Sequence, residues 1–334
     1  MTSQFSISVE DAPEIRSRGA AELRAGRQEE AILDATWCYY HEGLNQNQIA
    51  DKLGLSRASV VNYLAEARRR DYVRISLDPD IFRSHQQARA LVNKFGLKDA
   101  SVVPAAGQRT IERVARMTAD WLPRLLQPGD RLGVAWGETI FRVCEAAAPQ
   151  VLEDLTVVQL VGSRPAAMGF AAETCSATLA QRFGAHCINL HVPLLVSDAD
   201  LAARLRSEPV IAEQLQAVAA CNKVLFACGT CNADSHIVQT GILSAAALQT
   251  YVAKGAAGVI CGRLIDSNGR HMPTENEDRM LGVSLEQMQG KDMALLASAG
   301  IDRVHAVLAA LQGGFVTHLA ICSDTARHLL EADA

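Results

Sequence analysis

The chain has 334 residues, 49% hydrophobic and 21% charged, which excludes a single small domain and suits two globular ones that bury a large core. A formal charge of −5 and a pI near 6.0 exclude a uniformly basic protein, yet DNA binding needs only local positive charge. Nine cysteines, an odd number scattered among apolar segments, read as free buried thiols in a reducing cytoplasm. Met1–Gly19 has no apolar core and carries Glu10, Asp11 and Glu14, so no secretory signal is expected. No uncharged apolar run reaches membrane-spanning length, and the expected location is cytoplasmic.

In chain order, residues 1–25 lack periodicity and read as a loose tail. A helix is expected from Arg27 to His41, with Ile32, Leu33, Ala35, Trp37 and Cys38 covering the next two helices and Gly43 ending it. Asn45 to Ile75 is the most informative stretch. Ile49, Ala50 and Leu53 share one face of a short helix, Gly54 breaks it, and Leu55 fills the gap. Ser56 then caps a second helix whose Val60, Val61, Leu64 and Ala67 are expected to face inward. This is the pattern of a helix-turn-helix, which sets its second helix in the DNA major groove. Arg57, Ser59, Asn62 and Tyr63 would face the groove, and Ser56 would cap the helix and touch phosphate.

Residues 50–76 hold Lys52, Arg57, Arg68, Arg69, Arg70 and Arg74 against Asp51, Glu66 and Asp71. Widening the window to 26–78 removes that excess, so the basic signal is local. Arg68, Arg69, Arg70 and Arg74 would meet phosphates; the alternative is a solvated helix end whose charges suit the helix dipole. Tyr72–Leu77 alternates like a strand and suggests a wing along the backbone, closed by Asp78-Pro79-Asp80. Residues 81–96 read as a connecting helix leading out, whose Phe82, Ala88, Leu91, Val92 and Phe95 would pair with a second subunit or cap the next domain.

From about residue 98 short apolar runs alternate with helical segments. Strands are expected at 100–104, 131–136, 155–161, 186–192, 223–227, 258–265, 293–297 and 318–322. Helices are expected at 110–126, 138–148, 171–183, 209–220, 242–253, 301–312 and 324–331. Near-continuous apolar strands between helices predict an α/β domain of Rossmann type, a parallel sheet covered on both faces.

Ligands of such sheets bind beyond the carboxyl ends of the strands. Gly137-Glu138-Thr139 joins a strand to a helix N-terminus, where backbone amides favour anions. Glu138 would repel phosphate but bind sugar hydroxyls; the same turn is also an ordinary strand-to-helix connection. Gly162-Ser163-Arg164 offers an arginine for a phosphate or carboxylate, or a merely exposed loop arginine. Ala227 to His236 is polar and too long for a simple turn. Gly262 to Gly269 carries Asp266, which suits a hydroxyl ligand, although Asp-Ser-Asn-Gly is also plain turn composition. Cys228 and Cys231 form a CxxC without a second ligand pair, so neither zinc nor another cofactor is expected. No HExxH, GxSxG or Walker pattern is present.

QIADKLGLSRASVVNYLAEARRRDYV, followed by GVAWGETI, VVQLVGS, GVICGRLIDSNGR and GGFVTHLAICSDTARHLL, resembles the SorC family of sugar-responsive bacterial transcription regulators, from about residue 30 to 332. The resemblance implies a winged helix-turn-helix DNA-binding domain over 26–80 and a connecting helix over 81–97. It implies an effector and oligomerisation domain over 98–334, similar to ribose-5-phosphate isomerase and glucosamine-6-phosphate isomerase. It further implies a homotetramer that binds double-stranded operator DNA and a sugar, polyol or sugar-phosphate inducer, with no catalysis and no membrane contact.

Carried over, the ligand loops are Gly137-Glu138-Thr139, Gly162-Ser163-Arg164, the 229–239 segment with Gly229, Asp234 and Gln239, and Asp266, with Arg303 and Asp324 added from the last helix–strand unit. Arg303 stands where many relatives carry lysine, keeping the charge but preferring forked hydrogen bonds. Asn62 stands where arginine is frequent, and asparagine reads adenine better than guanine. Two rival readings are a phosphosugar isomerase with a DNA-binding appendage, using Glu138, Asp234 or His236, and a redox regulator using Cys228 and Cys231.

Overall fold

The computed structural model describes residues 12–75, 86–164 and 170–332, with side chains from residue 26 onward. The backbone separates after Ile75 into two compact units.

The first unit holds three helices, α1 (Ala12–Tyr40), α2 (Gln46–Leu53) and α3 (Arg57–Arg69). α1 overturns part of the expected tail: residues 12–25 are helical. Pro13 falls in the first turn, where its missing N–H is harmless, and Ala, Glu, Leu, Arg and Gln dominate the turns after it. Propensity rather than apolar periodicity makes this segment helical. Met1–Asp11 lie outside the described residues.

α2 starts with a capping box, Asn45 and Gln48 each accepting the other's backbone N–H. It stops at Gly54, whose φ of 64° closes the helix in the left-handed region. Ser56 Oγ then accepts the Ser59 N–H at 3.0 Å and starts α3. Ala35, Cys38, Ile49, Ala50, Val60 and Leu64 form the core of this unit, with Leu53, Leu55 and Tyr63 packed around it. Val61, expected inside, is 40% exposed. Val60, Leu64 and Ala67 already define the inward face at i, i+4 and i+7, and one residue further turns Val61 about 100° away. The expected wing strand is not formed in Tyr72–Ile75, and its remainder falls in residues 76–85, outside the described residues.

The second unit opens with α4 (Gln86–Phe95) and carries a seven-stranded, wholly parallel sheet. Its strands are β1 (Asp99–Val103), β2 (Arg131–Val134), β3 (Thr156–Gln159), β4 (His186–Ile188), β5 (Lys223–Phe226), β10 (Met293–Ser298) and β11 (His318–Cys322), in the order β1-β11-β10-β5-β2-β3-β4. Residues alternate between two cores, as the period of two requires. Val224, Phe226, Leu296, Leu319 and Ile321 face one side with α4. α9 (Pro209–Ala219), α11 (Val304–Gln312) and α12 (Ser323–Glu331) pack on that side too. Leu132, Val134, Leu225, Leu295 and Ala320 face the other side. There they meet α5 (Thr110–Trp121), α6 (Glu138–Ala146) and α7 (Ala172–Phe183). At the amino ends of β2 and β5 a buried ion pair, Asp130 to Lys223 at 2.6 Å, ties neighbouring strands together.

One expected strand is replaced. Residues 258–265 are not continuous but turn back as β7 (Ala256–Ile260) and β8 (Arg263–Asp266). With β6 (Cys228–Gly229) and β9 (His271–Met272) they form a second, antiparallel sheet. Ile260 pairs with Arg263 across Cys261 and Gly262, whose φ values of 50° and 83° are those of a tight hairpin turn. Cysteine in place of the customary asparagine hid the turn in the sequence. The sheet packs closely on α11: a Cβ at Gly258 would stand 3.0 Å from Ala306. A helix absent from the expectation, α8 (Ala199–Ser207), is capped by Asp198 and buries only Ala202. α10 (Ala245–Ala253) starts at Ser244, which accepts the Ala247 N–H.

Candidate functional site

Beyond the carboxyl ends of β2 and β5 the second unit encloses a cavity of about 470 Å³. Four segments build it. Ala135–Thr139 follows β2, the segment from Ala227 to Thr240 follows β5, Cys261-Gly262 is the hairpin turn, and Asp302-Arg303 precedes α11. Phe170 and Ile242 complete the wall. The parallel strands bring these loops to one place because their C-terminal ends share an edge.

The Trp136 and His236 rings meet at 4.6 Å between centroids, tilted by 49°, and give an aromatic wall. Gly137, with φ of 105°, precedes α6, so the first amides of that helix border the cavity. Glu138 is held by its own helix: Arg142 Nε and Nη2 donate to Glu138 Oε1 at 3.0 and 2.7 Å. Arg303 Nη1 donates to the Cys228 carbonyl at 3.1 Å, and its Nε reaches Asp302 at 3.3 Å. Gln239 Nε2 donates to the Asp234 carbonyl at 2.8 Å. Ser235 is buried, and its Oγ finds no protein partner among the described residues. A buried hydroxyl in that state is a ready hydrogen-bonding group for a polar ligand.

Burial, reinforced by the Arg303 charge, lowers the His236 pKa and favours the neutral imidazole. Burial also raises the thiols: Cys231 to about 11, Cys261 to about 12, and Cys228 well upward. Thiolate is the reactive form, so these values weigh against a redox switch at Cys228 and Cys231. Among the described residues no cluster of three or more His, Cys, Asp or Glu side chains converges on a metal position.

Of the residues expected at the ligand site, Gly137, Glu138, Thr139, Gly229, Asp234, Gln239 and Arg303 line the cavity. Gly162, Ser163, Arg164, Asp266 and Asp324 do not. Gly162 lies against the backbone of Pro193 and Leu194, where a Cβ would come within 2.6 Å. Ser163 donates its N–H to the Val192 carbonyl at 2.8 Å and accepts the Leu194 N–H at 2.9 Å. Arg164 lies beside Gly241 rather than in the wall. Asp266 Oδ1 accepts the Asn268 and Arg270 amides at 2.9 and 2.8 Å, closing the β8–β9 turn. Asp324 sits exposed in the first turn of α12, 3.7 Å from Arg327. Phe170, Asp302 and Cys261 were missed: an aromatic, a turn acid and a hairpin cysteine carry no motif.

In the first unit, α3 exposes Arg57, Asn62, Arg68 and Arg69, while Ser59 and Tyr63 are half-buried. Ser59 Oγ lies 2.8 Å from Ser56 Oγ within the cap, and Tyr63 packs on the core. The arginine run is partly committed. Arg69 and Arg70 both bind Glu66, at 2.5 and 2.6 Å, and hold its carboxyl down to about 2. Arg70 and the Tyr72 hydroxyl also donate to Glu29 of α1. Arg57 and Arg74 are exposed. Arg68 donates through Nε to the Leu64 carbonyl at 3.2 Å.

Residues 80–331 match the protein family described as "Putative sugar-binding domain". The chain is 34% identical over 313 residues to the uncharacterized transcriptional regulator YjhU of Escherichia coli K12, covering 91% of this chain and 95% of that one. Its fold matches the full-length sorbitol operon regulator SorC of Klebsiella pneumoniae with a TM-score of 0.70 at 22% identity, over 90% of this chain and 98% of the other. This chain belongs to the SorC family of sugar-responsive transcription regulators. Another relative is the deoxyribonucleoside regulator of Bacillus subtilis 168, 27% identical over 89% of this chain and 96% of its own length. The family match spans every residue that lines the cavity. No helix among the described residues of this SorC-family chain is long and apolar enough to cross a membrane.

Proposed function

We propose that the N-terminal unit reads operator DNA through α3 and that the cavity takes the inducer: a sugar, polyol or sugar phosphate. The observation that carries this reading is the cavity itself. It combines an aromatic wall, a bare helix N-terminus, a buried serine with no partner among the described residues and one arginine in a chain that also holds a helix-turn-helix with both helices N-capped. Aromatic rings suit the CH faces of a sugar, and convergent donors and acceptors suit its hydroxyls. Trp136, Thr139, Ser235, His236 and Arg303 are the residues assigned to inducer contact, with the exposed Glu138, Asp234 and Gln239 at the rim. Arg57, Asn62 and Arg74 are assigned to DNA, Asn62 as an adenine reader.

The reading extends to a winged N-terminal domain, an effector domain related in architecture to the sugar-phosphate isomerases, a cytoplasmic setting and a homotetramer. The inducer acts by its difference in affinity between two quaternary states. Thermal unfolding against matched sugars, polyols and their phosphates tests it. A ligand at about 100 times its dissociation constant stabilises the native state by roughly 2.7 kcal/mol. The compound that does so is expected to release the protein from operator DNA. A panel that shifts nothing, or a binder with no effect on DNA affinity, refutes the inducer assignment.

A further inference from the structure

We propose that Val61 is a base-reading residue that takes the C5-methyl group of a thymine in the operator. The proposal rests on the DNA-binding reading of α3 and goes beyond it to sequence preference. Val61 is 40% exposed, and it lies outside the apolar cluster that holds the three helices of the first unit together. Its neighbours on the helix surface are Ala58 and Ala65, both exposed, at the i−3 and i+4 positions, and the exposed Asn62 follows about 100° further round the helix. Arg57 stands at the first position of the same helix.

A β-branched side chain in mid-helix is disfavoured by its restricted χ1, and exposing its methyls to water adds to that cost. Val60, Leu64 and Ala67 supply the buried packing face of the helix, and Val61 is not part of it. In the major groove an offset to that cost exists. The thymine methyl is the one apolar group on the base edges there, and aliphatic side chains recognise it by contact. Ala58 and Ala65 are small enough to let the helix approach, leaving Val61 as the projecting apolar group beside Asn62. An asparagine takes the N6 and N7 edge of adenine, so the pair Val61-Asn62 specifies adjoining base pairs with a thymine next to an adenine.

The test starts from a duplex selected by the full-length protein out of a random-sequence library. Each thymine is then replaced singly by deoxyuridine, which removes only the methyl. At one thymine per half-site, beside the adenine whose replacement is no longer felt by Asn62→Ala, affinity is expected to fall about fourfold. That is the equivalent of about 0.8 kcal/mol for burying one methyl-sized group. The same replacement is expected to change nothing for Val61→Ala, a variant that raises helix propensity and leaves the core intact. Val61→Thr, which keeps one methyl, is expected to lie between the two. Uniform indifference to deoxyuridine, or an equal loss in parent and Val61→Ala, overturns the proposal while DNA reading stands. A library that yields no preferred sequence overturns both.

Discussion

Ser235→Ala separates a ligand-binding hydroxyl from a structural one, because the two roles predict opposite signs. Ser235 is only 4% exposed, and its Oγ has no protein partner among the described residues. Its backbone is fixed without the side chain: the N–H donates to the Asn232 carbonyl at 3.0 Å, and its carbonyl accepts from Val238 and Gln239 at 3.0 and 3.1 Å. A φ of −64° and ψ of 153° suit alanine equally well. An unbonded buried hydroxyl costs about 1–3 kcal/mol in proteins. Removing it is expected to stabilise the ligand-free protein by about 1 kcal/mol, or roughly 2–4 °C in Tm for a domain of this size. With inducer bound, the parent gains a hydrogen bond worth about 0.5–1.5 kcal/mol. The variant therefore loses roughly two- to thirteenfold in affinity. Calorimetric unfolding and titration with the inducer found in the thermal screen read both numbers. A lower Tm in the variant, or unchanged inducer affinity, refutes the assignment.

Lys223→Met removes the ammonium from the buried Asp130 carboxylate, which keeps its bonds from the Gln127 N–H and the Asn222 amide, and is expected to cost up to about 3 kcal/mol in denaturant unfolding; the double variant with Asp130→Leu should recover most of it. Asp266→Ala removes two backbone-to-carboxylate bonds and should cost about 1–2 kcal/mol of stability with inducer affinity unchanged, since Asp266 closes a turn outside the cavity. Burial lowers both His236 and His271, with Arg263 adding to the second. Their folded pKa values lie below the unfolded value of about 6.5, so the unfolded chain takes up more protons as pH falls. Stability is complete above about pH 6.5 and is lost as pH drops through the folded pKa values, and His236→Gln should shallow that decline in unfolding measured across pH 4.5–7.5.

The local signals were the legible ones. Gly54 and Ser56 mark the break and restart of the helix-turn-helix, and both do so by chemistry confined to a few residues. The strands of the parallel sheet stood out because burial on both faces leaves them almost wholly apolar. The β7–β8 hairpin was hidden for the same reason: GVICGRLI is apolar through the turn, and only the backbone angles of Cys261 and Gly262 reveal the reversal. The amino-terminal half of α1 was hidden because its helicity comes from propensity without an apolar stripe.

At the site, chemistry was legible but employment was not. Arg164 and Asp266 are as polar as Arg303 and Asp234, and no spacing rule separates a cavity wall from a turn brace. Asp266 spends its carboxylate on two amides, and Gly162 is required by close backbone approach. Ser235 and His236 lay inside a segment expected to bind ligand, but the sequence could not show that the serine is buried and unbonded.

The cavity is assembled from four separate segments, and this bears on how binding could move DNA affinity. One ligand touching the start of α6, the 235–240 turn, the Cys261-Gly262 hairpin and Arg303 has contacts on both sides of any shift between those segments. Moving a two-state equilibrium from 1:99 to 99:1 needs about 5.5 kcal/mol of differential affinity. At about 0.5–1.5 kcal/mol per hydrogen bond, a single site would need at least four bonds made in one state and absent in the other. That is one bond from each of the four segments. In the proposed homotetramer the same total divides among four equal sites at about 1.4 kcal/mol each, or about one to three bonds per cavity. Release from operator DNA is then expected to rise with inducer as a sigmoid with a Hill coefficient clearly above 1, read in a DNA-release titration beside a sedimentation measurement of the assembly. A hyperbolic response from a protein that sediments as a tetramer would mean that each cavity acts alone, and the four segments would then have to supply the whole difference within one subunit.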